Sequence, residues 1–250
     1  MKAMSRFILL LSIIILSNFA AKAETLVADL SDHVVAITTG FTGTDLLLFG
    51  SVSDVGDVVV IVHGPTEEIV VRKKEQISGI WANKDSITFE HVPSFYSVAA
   101  SPEAMSRVSS AVGRRHQIGA YNVRFDSKED IDRQTAAPFK EALVRNKTKM
   151  GLYTKRPALV EMRGRHLFRT KVHFPANVPT GTYRVETLLL KEGTVIAAQN
   201  TPLFINKLGF GAQVFRFAHR HPALHGLAAI IIAVLAGLLA NWVFRKLSQN

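Results

Sequence analysis

The chain contains no cysteine among its 250 residues. Disulfides, thiolate metal sites and cysteine nucleophiles are therefore excluded, and stability has to come from packing alone. That suits a bacterial compartment better than a disulfide-stapled animal ectodomain. Also missing are the GxSxG, HExxH, P-loop and dinucleotide-binding patterns, and no Ser, His and Asp spacing marks a triad. The expectation is a protein that is not an enzyme and carries no cofactor. No internal repeat or low-complexity tract is visible. Long apolar runs are absent from the middle of the chain and confined to its two ends.

The first run, Phe7 to Leu16, follows Lys2 and Arg6 and leads to Ala21-Lys22-Ala23. A charged start, a short apolar run and a small-x-small site describe a secretory signal peptide over residues 1–23. The second, Ala223 to Phe244, is 22 residues without a formal charge. As a helix it spans about 33 Å, enough to cross a bilayer. The predicted arrangement is a signal peptide (1–23), an exported domain (24–206), a juxtamembrane segment (207–221), a transmembrane helix (222–244) and a cytoplasmic tail (245–250). Arg245 and Lys246 on the inner face agree with the positive-inside tendency, although Lys207, Arg216 and Arg220 lie close on the other side. The signal peptide decides the orientation: domain in the periplasm, C-terminus in the cytoplasm, one pass through the inner membrane.

The net charge of +10 is unevenly spread. Residues 24–100 carry 4 Lys/Arg against 11 Asp/Glu, whereas residues 101–157 carry 12 against 6. An acidic first part and a basic middle suggest mutual docking, a basic face turned to an anion, or a solvated mixed-charge surface. Export makes nucleic acid a poor partner; lipid headgroups or a small anion are better ones.

Short apolar runs broken by Gly, Pro and Asp fill residues 25–98: Val34 to Thr38, Asp45 to Val52, Asp57 to His63, Glu68 to Arg72, Gly79 to Trp81 and Ser86 to Glu90. Such spacing predicts an antiparallel β-sandwich. Trp81, Phe89, Phe95 and Tyr96 are expected in its core. Ser101-Pro102 reads as the start of a helix reaching Val112 and closed by Gly113. A second helix is predicted from near Pro138 to Gly151, with Phe139, Ala142, Leu143 and Met150 on its apolar stripe. Strands return at His166 to Phe174, Tyr183 to Lys191 and Val195 to Ile205. Tyr183, just after the turn Pro179-Thr180-Gly181, is similar to the tyrosine corner of immunoglobulin-like sandwiches. The predicted fold is mainly β: an immunoglobulin-like antiparallel β-sandwich with a basic helical insert at about 101–157, plus one C-terminal transmembrane helix. Two smaller β domains are the alternative.

Most of the nine histidines fail as metal ligands on spacing. His219, His221 and His225 come closest, but no Asp or Glu lies nearby, and no metal site is assigned. Arg114, Arg115 and His116 follow the first predicted helix. Cations there suit the helix dipole, and they are the candidate anion contact. In the span, His225, Ala229, Ala233, Gly237 and Asn241 recur every four residues. A line of small residues lets helix backbones approach, and Asn hydrogen-bonds across such a contact, so these five are the candidate helix–helix contact.

The stretches ETLVADLSDHVVAITTGFTGTDLLLFGSV, GPTEEIVVRKKEQISGIWANKDSITFEHVPSFYSVAAS, RRHQIG and FPANVPTGTYRVETLLLKEG, with the C-terminal span, resemble the alphaproteobacterial family of putative transmembrane proteins. The resemblance implies a bacterial inner-membrane protein with a periplasmic domain, encoded beside permeases of the sulfite-exporter type, and offers no catalytic residues. The functional expectation is a non-enzymatic accessory subunit of a polytopic membrane protein. A tethered anion- or metal-binding sensor is the rival, and a membrane-tethered hydrolase ranks last.

Overall fold

The computed structural model describes residues 25–77, 79–208 and 217–247. The signal-peptide reading, residues 209–216 of the juxtamembrane segment and the last residues of the tail lie outside these. The described chain is mainly β, with one helix at its C-terminus apolar and long enough to cross a membrane.

Three sheets form. The first has the order β1-β3-β11-β10 (Leu26–Leu30, Gly43–Val52, Leu167–Pro175, Glu161–Arg163). The second has the order β2-β13-β12-β4-β7-β9 (Val34–Ile37, Thr194–Lys207, Gly181–Lys191, Asp57–His63, Tyr96–Ala100, Ala158–Leu159). Within it β2 runs parallel to the end of β13. A ribbon of β5 (Thr66–Ile77) and β6 (Ile80–Pro93), joined by the short β8 (Asp126–Ser127), makes the third.

Alternation decides which faces are buried. In β11, Phe168, Thr170, Val172 and Phe174 are buried and their neighbours are not. Phe168, Val172 and Phe174 share one apolar core with Tyr183, Val185 and Leu189 of β12 in the second sheet. Strand β4 breaks the alternation, because all seven of its residues are buried. A strand covered on both faces reads as a continuous apolar run, and DVVVIVH does. One face of β4 meets the first sheet. The other meets the insert, whose Arg107 donates to Asp57 at 3.1 Å.

At one end of this core Phe95 stacks on Phe174 with ring centres 5.1 Å apart, and Tyr183 meets Phe174 edge-on at 5.9 Å. Tyr183 is 1 % exposed, and its hydroxyl donates to the carbonyl of Pro179 at 2.5 Å. The tyrosine corner read from the sequence is therefore present as a buried hydrogen bond to backbone four residues upstream.

Several local expectations are corrected. Ser101 does not open a helix: its hydroxyl accepts from the Val58 amide at 2.9 Å and so extends the β4–β7 ladder. Two short helices replace the predicted one, α1 (Ala104–Arg107) and α2 (Ser110–Arg115), the second capped by Ser109. Gly113 is buried inside α2 rather than ending it. Helix α3 (Arg133–Lys149) starts earlier than predicted because Asp132 caps it, accepting from the Thr135 amide at 2.7 Å. Gly151 follows its end with φ +74°, a conformation glycine adopts without penalty. Leu143, Phe139 and Ala142 pack on the ribbon, with Val71, Ile87 and Phe89, whereas Met150 is 56 % exposed and leaves the predicted stripe. The runs at Gly79 and Ser86 belong to one strand, β6. Trp81, expected in the core, is 66 % exposed on it.

Gly50 shows how tightly the first sheet is packed. A Cβ there would lie 2.5 Å from Cζ of Phe168 and 2.2 Å from the carbonyl oxygen of Val27. Gly50→Ala is therefore expected to destabilise the fold by roughly 1–3 kcal/mol through overpacking. Tyr183→Phe is expected to cost about 1 kcal/mol for one buried hydrogen bond. Urea denaturation in mild detergent, followed by circular dichroism, measures both. A Gly50→Ala protein as stable as the parent would refute the packing described.

Candidate binding sites on the anchor and the insert

Helix α4 (Pro222–Leu247) contains the apolar window Pro222–Asn241, none of which is buried. Its first turn is continuous with the residues before it: the His225 amide donates to the carbonyl of His221 at 3.0 Å, and the His221 amide to that of Phe217 at 2.8 Å. The Phe217 ring lies 5.9 Å from the His221 ring and 6.3 Å from the His225 ring. Ala229, Ala233, Gly237 and Asn241 follow His225 at four-residue intervals on an exposed surface. A Cβ added at Gly237 would meet nothing within 4 Å, so no described residue covers it.

The insert lies over the outer face of the second sheet. The Tyr96 hydroxyl of β7 donates to the Gln117 carbonyl at 2.5 Å and accepts from the Gly119 amide at 2.8 Å. Burial raises the pKa of this phenol well above its ordinary value. The Tyr153 hydroxyl donates to the Pro93 carbonyl at 2.8 Å. Lys147 of α3 is buried and pairs with Glu67 of the ribbon. These bonds fix the insert against both the sheet and the base of the ribbon.

Two clefts open along this seam. One of about 710 Å³ has an apolar floor of Val98, Ile118 and Val144 and a rim bearing Arg145, Lys149 and Lys155. The other, about 800 Å³, is lined by Arg114, Arg124, Lys128, Arg133 and Lys140, opposed by Asp126, Glu129 and Asp130. Burial lowers the pKa of Lys140, whose ammonium lies 4.8 Å above the Phe125 ring.

The Arg114, Arg115 and His116 group divides. Arg114 lines the larger cleft, Arg115 is exposed, and His116 faces Glu186 of β12 at 4.0 Å. The carbonyls of Arg114 and Arg115 accept from the Arg124 guanidinium at 3.1 and 3.0 Å. The basic side chain that meets this helix end thus comes from nine residues beyond it. Among the described residues no three His, Asp or Glu converge on a common point.

A pocket of about 300 Å³ went unrecognised in the sequence. It gathers His63, His91, Gln117, Arg124 and Arg184 at the end of β4. His63 sits opposite Arg184 in the β4–β12 register and opposite Tyr96 in the β4–β7 register. It is 6 % exposed, and its Nε2 has no hydrogen-bond partner among the described residues. Burial, and then the charge of Arg184, push its pKa down to about 4. Only the pairing of strands more than a hundred residues apart brings His63 and Arg184 together, so no local motif marked them.

His63 has a consequence for stability. Its ordinary pKa is 6.5 and its folded value about 4, so the unfolded chain binds the proton more readily. The stabilisation is complete above pH 6.5 and is lost as pH falls through 4, by up to roughly 3 kcal/mol. His63→Gln is expected to flatten the decline in folding free energy between pH 7 and pH 4.5, measured by denaturant titration at each pH. Parallel pH profiles for parent and variant would contradict a buried neutral histidine.

The sequence profile of the family described as "putative transmembrane protein", whose short name points to alphaproteobacteria, matches residues 25–246. No curated protein and no solved structure matches the chain. The match runs from the first strand through the apolar helix, and the chain belongs to this alphaproteobacterial transmembrane protein family.

Proposed function

We propose that the protein is a non-catalytic accessory subunit, tethered by α4 to the bacterial inner membrane, whose domain lies in the periplasm and whose helix pairs with a polytopic partner. The observation that carries this reading is the open line His225, Ala229, Ala233, Gly237 and Asn241 on a helix with no buried window. Without water to drive association, helices in lipid pair through close backbone packing and side-chain hydrogen bonds, and this line offers both. The family resemblance makes an anion permease of the sulfite-exporter type the leading partner. The signal-peptide reading of residues 1–23 supports the orientation.

The domain fits an immunoglobulin-like reading. The order β1-β3-β11-β10 corresponds to strands A, B, E and D of that fold, and β4, β12 and β13 correspond to C, F and G. Tyr183 stands near the start of the F equivalent. In that frame the ribbon elongates the C–C′ turn, and the insert precedes D.

A second reading, a tethered anion-binding domain, is favoured by the buried His63 Nε2 beside Arg184 and Arg124. A small oxyanion would accept from all three.

Gly237→Ile is expected to abolish crosslinking of α4 to its partner in native membranes while leaving insertion intact. Leu238→Ile, off that line, is expected to do nothing. Asn241→Leu removes one interhelical hydrogen bond and is expected to weaken pairing by roughly 0.6–2 kcal/mol. Equal responses from both faces, or none, would reduce α4 to an anchor.

A further inference from the structure

The ribbon of β5 and β6 continues the β4–β7 ladder. The Gly64 amide donates to the Phe95 carbonyl and the Ser94 amide to the Pro65 carbonyl, both at 2.8 Å. The ribbon therefore leaves the second sheet at the end where β4 stops. That is also the end where β13 finishes, because Gly181 pairs with Ile205 and Arg184 with His63. A Cβ on Gly181 would lie 2.8 Å from Pro65 at the ribbon's base. From β13 the chain continues through residues 208–216, which span at most about 32 Å even fully extended, to the helical turn Phe217–His221, which adds about 7 Å before α4.

Val71 and Ile87 are the last buried pair along the ribbon, and no described residue beyond them is buried. Near its end stand Ile80, 72 % exposed, and Trp81, 66 % exposed. Arg72, Lys73, Lys74 and Lys84 flank them against only Glu75 and Asp85, and Glu75 is already paired with Lys84 at 2.7 Å. An exposed aromatic and aliphatic pair ringed by lysines is the composition of a segment seated among lipid headgroups, with the rings at the acyl boundary and the ammonium groups on the phosphates. At 12 residues and about 3.3 Å each, β5 is roughly 40 Å long, comparable to the greatest separation the tether permits.

We propose that the ribbon end, Ile80 and Trp81 with Arg72, Lys73 and Lys74, docks on the surface of the anionic bilayer in which α4 is anchored, giving the domain a second point of attachment. This goes beyond the pairing role of α4 and does not depend on it. Docking at two points restricts the tilt of the domain over the membrane and fixes which face it turns to neighbours.

The test uses the full chain with Trp242→Phe, which leaves Trp81 as the sole tryptophan. In nanodiscs of phosphatidylcholine and phosphatidylglycerol, Trp81 emission is expected to be blue-shifted, quenched severalfold by brominated acyl chains and shielded from iodide. A matching protein with Trp81→Phe, Trp242→Phe and Tyr121→Trp reports from the insert and is expected to show the reverse. Lys73→Glu with Lys74→Glu is expected to return Trp81 to iodide. Trp81 quenched by iodide and untouched by bromolipid would overturn the proposal. So would Trp81 shielded from both quenchers, which would mean a protein surface or a second copy of the chain covers it.

Discussion

Burial of β4 on both faces is the constraint from which the rest of the architecture follows. A seven-residue strand with no exposed position needs a layer on each side. The first sheet supplies one, through Phe168, Val172 and Phe174. The insert supplies the other, held by the Arg107–Asp57 pair and by the two hydrogen bonds of the Tyr96 hydroxyl. The insert is therefore a structural layer as well as a basic surface.

The same constraint sets the electrostatics. His63 closes the buried strand, so it is kept neutral by the burial that stabilises the strand before it. Arg184 is carried next to it by strand register. Among the described residues the acidic first part and the basic middle of the chain do meet, though at few points: Arg107 with Asp57, Lys147 with Glu67, and Lys128 with Glu68 and Glu90. Apart from Lys147 and Asp57 these groups are substantially exposed, and such pairs contribute little stability. Most of the basic charge of the insert remains available to an anionic partner.

Much of the fold was legible in the sequence, because period-2 alternation and turn residues are local signals. Strand β4 was read with its observed bounds, and Tyr183 was read as a corner from its place after Pro179. The failures share a physical cause. Ser101-Pro102 has the local chemistry of a helix start, but the hydroxyl was claimed by Val58 across the sheet. Trp81 is apolar and was assigned to the core, yet the ribbon carries it beyond the last covering residues of α3. The His63 pocket depends on register between distant strands. Of the candidate site residues, the anchor line lies on one open helix, while Arg114, Arg115 and His116 have three different surroundings, a division that consecutive numbering does not reveal.

What the protein can engage depends on the side of the membrane that holds the domain. The absence of cysteine makes this measurable with single substitutions. Tyr121→Cys, on an exposed part of the insert, and Ser248→Cys, beyond α4, can each be treated with a membrane-impermeant maleimide in cells whose outer membrane has been permeabilised. The expected result is labelling of Cys at 121 in intact spheroplasts and of Cys at 248 only after lysis. Labelling of 248 without lysis, with 121 protected, would place the domain in the cytoplasm and contradict the proposed role.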